Sequence, residues 1–281
     1  MRKLTHPLLA LILAAGATLR AESSEYPVAI NLPTGERMQY WDIGILFSHR
    51  FIAPVQNNGK NLYGIDNYAY AGFGVDFGFK PIKGLNVLLY RTADNKTFVF
   101  GLQQLLLDSS RVRLSLRLER FDETVKNRII PGPPDPPQGE VGISGASGQL
   151  TAEIFITDDI ILSLIPTYLS RTTTVDKGIF TAGAGLKIHF TEKFAFVGEY
   201  YPTPSKVKKA GETGGPLVQA GRVYTNGFAA GVSYKTFKHR FSLFGTNSTG
   251  TTTHQVLGGD YGGGPNPGGK WSIGFNVARV F

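Results

Sequence analysis

The sequence predicts an all-β chain: a transmembrane antiparallel up-and-down β-barrel of about 12 strands, with short periplasmic turns and long extracellular loops. Three observations lead there. Apolar residues recur at every second position through most of the chain, the period of a strand with two different faces. Short and long connections alternate between these segments. The N terminus has the layout of an export signal, while no later stretch is long and apolar enough to span a bilayer as a helix.

The opening "MRKLTHPLLALILAAGATLRAES" has a basic start, a short apolar run from Leu8 to Leu19, and small residues around a cut expected after Ala21. Residues 1–21 are therefore read as a signal peptide and 22–281 as one barrel domain. The chain has no cysteine, so neither disulfides nor a lipidated cysteine holds it. Losing Arg2, Lys3 and Arg20 lowers the net charge from +8 to +5. That mild excess, on an exported chain, gives no reason to expect nucleic acid and suits anionic lipid head groups.

Alternating segments lie near residues 39–51, 68–80, 84–92, 97–107, 111–122, 148–157, 160–171, 179–190, 194–202, 223–235, 240–248 and 270–281. The clearest is "RVRLSLRLERF", with Val112, Leu114, Leu116 and Leu118 on one face and Arg113, Ser115, Arg117 and Glu119 on the other. "YAGFGVDFGFK", "IFTAGAGLKIHF" and "GFAAGVSYK" repeat the pattern. The third, fourth and seventh segments alternate poorly, and their facing stays open. "KPIKG", "DSS", "TDD", "TEK" and "TFKH" are tight links; the Gly- and Pro-rich stretches at 123–147, 202–222 and 249–269 are long ones.

A soluble sandwich also alternates. Strands near ten residues, asymmetric rims and export without disulfides favour a closed barrel in lipid, where every backbone group must be paired. Register follows from cost: an Arg or Lys at the lipid midplane costs about 2–4 kcal/mol. The leucines of the fifth segment therefore face lipid, and Arg113 and Arg117 face the lumen. The chain finishes on "KWSIGFNVARVF". Trp271, Phe275, Val277 and Phe281 share the lipid face of a strand that closes onto the first, and together resemble the C-terminal assembly signal read by the Gram-negative barrel-insertion machinery.

The same parity puts Asp42, Asp76, Arg113, Arg117, Glu119, Glu153, Lys187 and Glu199 in the lumen. Such charges set the selectivity of a pore, or form ion pairs that satisfy a polar interior. Glu153 is expected to pair with Arg117 at mid-height. Inward glycines at 72, 74, 78, 183, 185, 227 and 231 leave space and lean toward an open lumen.

Chemistry finds little support. "GFGVDFG" and "AGAGLK" look like phosphate loops but lie inside strands with no following helix. His49, His189, His239 and His254 show no metal-ligand spacing. An outer-wall esterase needs Ser and His on one face, and here His49 faces out while Ser48 faces in. Neither a cofactor nor catalysis is expected. The "KVKK" at 206–209 is a solvated loop that would also suit lipopolysaccharide phosphates. The expected partners are thus outer-membrane lipid, lipopolysaccharide and, during biogenesis, the insertion machinery.

Several stretches together resemble a family of bacterial β-barrel proteins catalogued as a domain of unknown function. They are "NLPTGERMQYWDIGILFSHRF", "LYGIDNYAYAGFGVDFGF", "FVGEYYP", "KHRFSLFGTNSTG" and "WSIGFNVARVF". The resemblance implies an outer-membrane barrel and brings no activity. Two readings of function follow: a narrow passive channel for small polar solutes or ions, or a non-transporting barrel with a structural or partner-binding role.

Overall fold

The structure, a computed structural model, describes residues 26–281 except 40, 52–54, 56–64, 66–68, 80–81, 127–139, 173–174, 176, 214–224, 249 and 260–270. The expected signal peptide and its cut lie outside the described residues. Twelve strands form one closed antiparallel sheet: β1 Ile43–Phe51, β2 Ala69–Phe79, β3 Leu85–Thr92, β4 Phe98–Asp108, β5 Val112–Lys126, β6 Glu140–Phe155, β7 Ile160–Leu169, β8 Ile179–His189, β9 Phe194–Tyr201, β10 Gly227–Lys235, β11 His239–Thr246 and β12 Ser272–Val280. Each pairs with its chain neighbours, and β1 pairs with β12 from Gly44↔Val280 to Arg50↔Gly274. The Phe281 N–H extends that seam by donating to the Ile43 carbonyl at 2.9 Å. Closure leaves no edge strand, which hydrocarbon requires.

The two faces separate as cost demands. In β5, Ser115 and Arg117 are buried inside while Leu116 and Leu118 are exposed outside. Phe47, Phe73, Phe77, Phe100, Leu164, Phe180 and Leu243 extend this apolar belt around the wall. Each of these large apolar side chains is exposed on the outer face of the wall.

The structure revises the strand limits in four places. β1 starts at Ile43, so Asp42 sits in the turn before it, where its carbonyl accepts the Gly78 N–H. Strand β10 starts at Gly227, later than the alternation suggests. β5 and β6 run on to the pair Lys126↔Glu140, so much of the expected 123–147 loop is a hairpin. Its β6 half, "EVGISGAS", is Gly- and Ser-rich and carries a weak strand signal. The 202–222 stretch contains the helix α1, Ser205–Thr213, and the 249–269 stretch the short helix α2, Thr253–Leu257.

The poorly alternating strands now have a facing. Leu88 and Tyr90 of β3, Val99 of β4, and Ile161, Ile165 and Leu169 of β7 all point inward and are buried. Most of them pack in two apolar clusters inside the barrel. An apolar inner face cannot be facing water, so something fills the bore.

Candidate functional site

The filling is the segment before β1. "YPVAINLPTGERM" carries no period-two signal, and two prolines keep it from joining a sheet as an inner strand. It folds instead as a small hairpin: Val28 bridges Pro33, the Ala29 N–H donates to the Leu32 carbonyl at 2.9 Å, and the Thr34 N–H to the Pro27 carbonyl at 3.1 Å. Tyr26, Ile30, Asn31, Leu32 and Thr34 are all at most 5% exposed. The hairpin enters from the short-turn rim, and its tip at Ile30–Leu32 reaches into the bore.

The tip exposes three adjacent backbone N–H groups that cannot be left dry. The Glu199 carboxylate of β9 takes all three: Ile30 at 2.7 Å, Asn31 at 3.0 Å and Leu32 at 3.1 Å. The Asn31 amide donates to the Tyr201 hydroxyl at 2.8 Å and accepts from Arg50 of β1 at 2.8 Å. Arg50 also donates to Asn276 of β12 at 2.9 Å, and Asn276 donates to the Ile30 carbonyl at 2.8 Å. Arg50 is 1% exposed, with its guanidinium 4.4 Å from the centre of the Phe244 ring. Both terminal nitrogens of this buried charge are hydrogen-bonded, while its Nε has no partner.

Below the tip, the flanks meet the rest of the wall. Arg117 of β5 donates to the Pro27 carbonyl and to Gln103 of β4, each at 2.7 Å. Gln103 then donates to the Thr34 and Glu36 carbonyls, each at 3.0 Å. Arg240 of β11 holds the Tyr26 carbonyl at 3.0 Å and the Val28 carbonyl. At the rim, the Glu36 carboxylate lies 3.2 Å from Lys187 of β8 and 3.4 Å from Arg240. The hairpin is thus tied on every side of the barrel.

From the opposite rim, α2 descends to meet it. All five of its residues are buried, and the Thr253 hydroxyl donates to the Asn31 carbonyl at 2.9 Å. His254 contacts Glu123 of β5 at 3.0 Å and stacks on Phe121, ring centres 3.9 Å apart. Val256 and Leu257 join Ile30, Leu32, Ile165 and Leu169 in one apolar cluster, with Val207 of α1. Between hairpin and α2 there is a cavity of about 40 Å³, lined in part by Tyr90, Arg117 and Glu119. That is room for water and not for a solute.

The inward glycines serve this arrangement. A Cβ on Gly183 would lie 2.9 Å from Leu32 and 3.1 Å from Leu257, and one on Gly78 only 1.8 Å from the Gln39 carbonyl. The space they leave is space for the plug; at these two positions the lean toward an open lumen is corrected.

The sequence-predicted lumen residues fall as follows. Asp76, Arg117, Glu119, Glu153 and Glu199 are buried; Arg113 and Lys187 are partly so. Asp42 stands at the rim. Glu153 pairs with Arg113, at 3.3 Å, and not with Arg117, because register sets Arg113↔Glu153 and Arg117↔Gln149. Arg113 also holds Asp108 at 3.0 Å, and Glu119 accepts from Ser147 at 3.0 Å. Arg50, Gln103, Glu123, Arg240 and Asn276 were missed. Parity alone would place Arg50 beside inward Ser48; the others needed the plug to give them a purpose.

The outer wall keeps the expected facing. Ser48 is buried inside at 2.5 Å from the Tyr90 hydroxyl, while the His49 ring faces outward against Phe51 and Phe275, at 4.8 and 5.0 Å. Trp271 packs edge-on against Phe228 at 4.3 Å, and Arg279 lies 4.5 Å over the Phe281 ring. Among the described residues, no three His, Asp or Glu side chains converge as a metal site.

Among solved structures, the chain is similar to the outer membrane protein Omp33 of Acinetobacter baumannii, with 10% identity over 86% of this chain and 98% of that one and a TM-score of 0.43. It is also similar to the NanC porin, with 7% identity over 85% and 98% and a TM-score of 0.47, and to outer membrane phospholipase A from Escherichia coli, with 9% identity over 86% and 91% and a TM-score of 0.44. No curated protein sequence matches the chain. A family model does match, over residues 26–281, which takes in the hairpin as well as every strand. The chain is an outer-membrane β-barrel and belongs to the membrane bound beta barrel domain family DUF5777.

Proposed function

We propose that this barrel is a narrow passive channel for small polar solutes, held shut by its own N-terminal hairpin. One observation carries the reading: the bore is filled by a segment outside the sheet, while the wall beneath it carries buried polar and charged side chains such as Arg50, Gln103, Arg117 and Glu199 beside the apolar patches of β3, β4 and β7. A barrel meant to stay solid fills itself with wall side chains. Here the wall offers donors to a segment joined to β1 by a short link, and withdrawal of that segment would leave a wettable bore. The reading assigns no chemistry, since Ser48 and His49 lie on opposite faces. It also keeps Trp271, Phe275, Val277 and Phe281 as the assembly signal, and lipid and lipopolysaccharide as the surroundings.

A non-transporting barrel is the second reading. The apolar cluster that joins the hairpin tip to α2 favours it, because burying Ile30, Leu32, Val256 and Leu257 together stabilises closure. Planar-bilayer recording separates the two. The full chain should show rare openings, and a Glu199→Ala, Arg50→Ala double variant frequent ones. Silence in the double variant, with the hairpin shown by labelling to be released, would leave the non-transporting reading.

A further inference from the structure

The two sides of the plugged bore differ. Across β7 to β9, Ile165, Leu169, Ile179 and Val197 pack with Leu32 of the hairpin and Leu257 of α2 in one apolar cluster. Across β2 to β6, six buried side-chain atoms have no hydrogen-bond partner in the protein: Asp76 Oδ1, Asn86 Oδ1 and Nδ2, Ser115 Oγ, Gln149 Oε1 and Thr151 Oγ1. Their five residues are at most 2% exposed. Buried polar atoms are almost always bonded, and buried water is the partner where the protein supplies none.

These atoms lie on three successive inward rows. Ser115 stands opposite Thr151. Two positions further from the short-turn rim, Asn86, Gln103, Arg117 and Gln149 face one another in turn across β3 to β6. Two further still, Asp76, Leu88, Gly101 and Glu119 do so across β2 to β5. Rows two residues apart are separated by about 6.6 Å at ~3.3 Å per residue, close to the span of two hydrogen bonds of about 2.8 Å through one water. The run ends in open space, since Arg117 and Glu119 also line the cavity of about 40 Å³ beside the hairpin. It begins near solvent: the next row toward the rim is Arg113↔Glu153, and Arg113 holds Asp108, whose side chain is 31% exposed.

We propose that the barrel, with its hairpin seated, is a water pore: a file of water runs along the β2–β6 side of the bore, past the hairpin, and crosses the membrane while solutes do not. This goes beyond the channel reading and does not need the hairpin to move. Above the cavity the polar run continues toward the other rim. Thr251, Thr252 and Thr253 line its upper side, the Thr251 hydroxyl donates to Thr92 at 2.9 Å, and the Thr97 hydroxyl to Glu123 at 3.1 Å. Leu88 and Val99 line the cavity as well. Water beside them is bonded on one side alone, and conduction requires binding weak enough to release.

The test uses the full chain in liposomes, with folding checked by heat-modifiable mobility. Sucrose shrinks the liposomes in a stopped-flow cell, and light scattering gives the water permeability. Swelling in iso-osmotic glycerol, on the same liposomes, reads openings of the hairpin. The protein should speed shrinkage over protein-free liposomes without comparable glycerol entry. Ser115→Ala with Thr151→Val removes two of the hydroxyls and should lower the added water permeability about tenfold, the equivalent of about one hydrogen bond lost to the file, with glycerol entry unchanged. Asn86→Leu, on another strand, should do the same. Shrinkage no faster than in protein-free liposomes overturns the pore. So does a rate that both sets of variants leave unchanged, or one that follows glycerol entry, because that water crosses with the hairpin withdrawn. Failure of the channel reading looks different: no glycerol entry when the hairpin is released by Glu199→Ala with Arg50→Ala, and water permeability intact in the unaltered chain.

Discussion

Replacing Glu199 with Gln removes the charge that gathers the hairpin tip while keeping the side chain's size. Three N–H donors, from Ile30, Asn31 and Leu32, end on that carboxylate. Hydrogen bonds to a charged acceptor contribute about 1.5–3 kcal/mol each. Gln retains one acceptor oxygen, so part of one bond survives. Its amide adds two donors facing three others, which gives back nothing. We take the net loss as about 3 kcal/mol, roughly 100-fold in the ratio of seated to withdrawn hairpin at 1.4 kcal/mol per decade. The absence of native cysteine makes the assay clean. Leu32→Cys places a single thiol at a position 1% exposed in the closed state. Its labelling by a membrane-impermeant maleimide then reports the withdrawn population when opening is fast relative to reaction. The Glu199→Gln change should raise the labelling rate about 100-fold over the Leu32→Cys background. A change under about threefold would show that the carboxylate does not hold the tip, and the account of closure would fail.

Three further outcomes are expected. Gly183→Val pushes a branched side chain into Leu32 and Leu257 at about 3 Å; overpacking should cost the plug about 1–3 kcal/mol and raise open probability in bilayers, with the sheet's detergent stability little changed. Leu118→Lys should lower stability in liposomes by about 2–4 kcal/mol, read by urea unfolding, since its outward side chain is exposed to the lipid belt. Deleting Phe281 removes its N–H bond to the Ile43 carbonyl and the end of the proposed assembly signal; outer-membrane levels should drop in cell fractions, while refolding in detergent should hardly change.

The shell was legible and its contents were not, for one physical reason. Where a strand faces lipid outside and polar side chains inside, its pattern has period two, and β5 and β8 read cleanly. Where it faces the hairpin, both faces are apolar and the pattern vanishes. Leu88 and Tyr90 in β3 and Ile165 and Leu169 in β7 spoiled the alternation because they touch the plug. Those irregular strands were the trace of something inside the bore. The hairpin itself left none, as nine residues bridged at Val28 and Pro33 show neither strand nor helix period. Arg117 and Glu153 were mispaired because height was judged without register, and a slip of a few positions moves a partner along the wall.

The hairpin's anchors lie far away in the chain. Glu199 is 169 positions from Ile30, and Asn276 is 246. Loop closure over such spans is slow, and its entropy must be met before any contact rewards it. The anchors also sit on separate staves, β1, β9, β11 and β12, which come into facing positions only once the seam between first and last strands has formed. The tube is therefore finished before its stopper is fitted. A chain arrested just short of that final step would already be inserted and hydrogen-bonded along its whole circumference, yet leaky. On this order of events, seating the hairpin in the bore is the last step of folding.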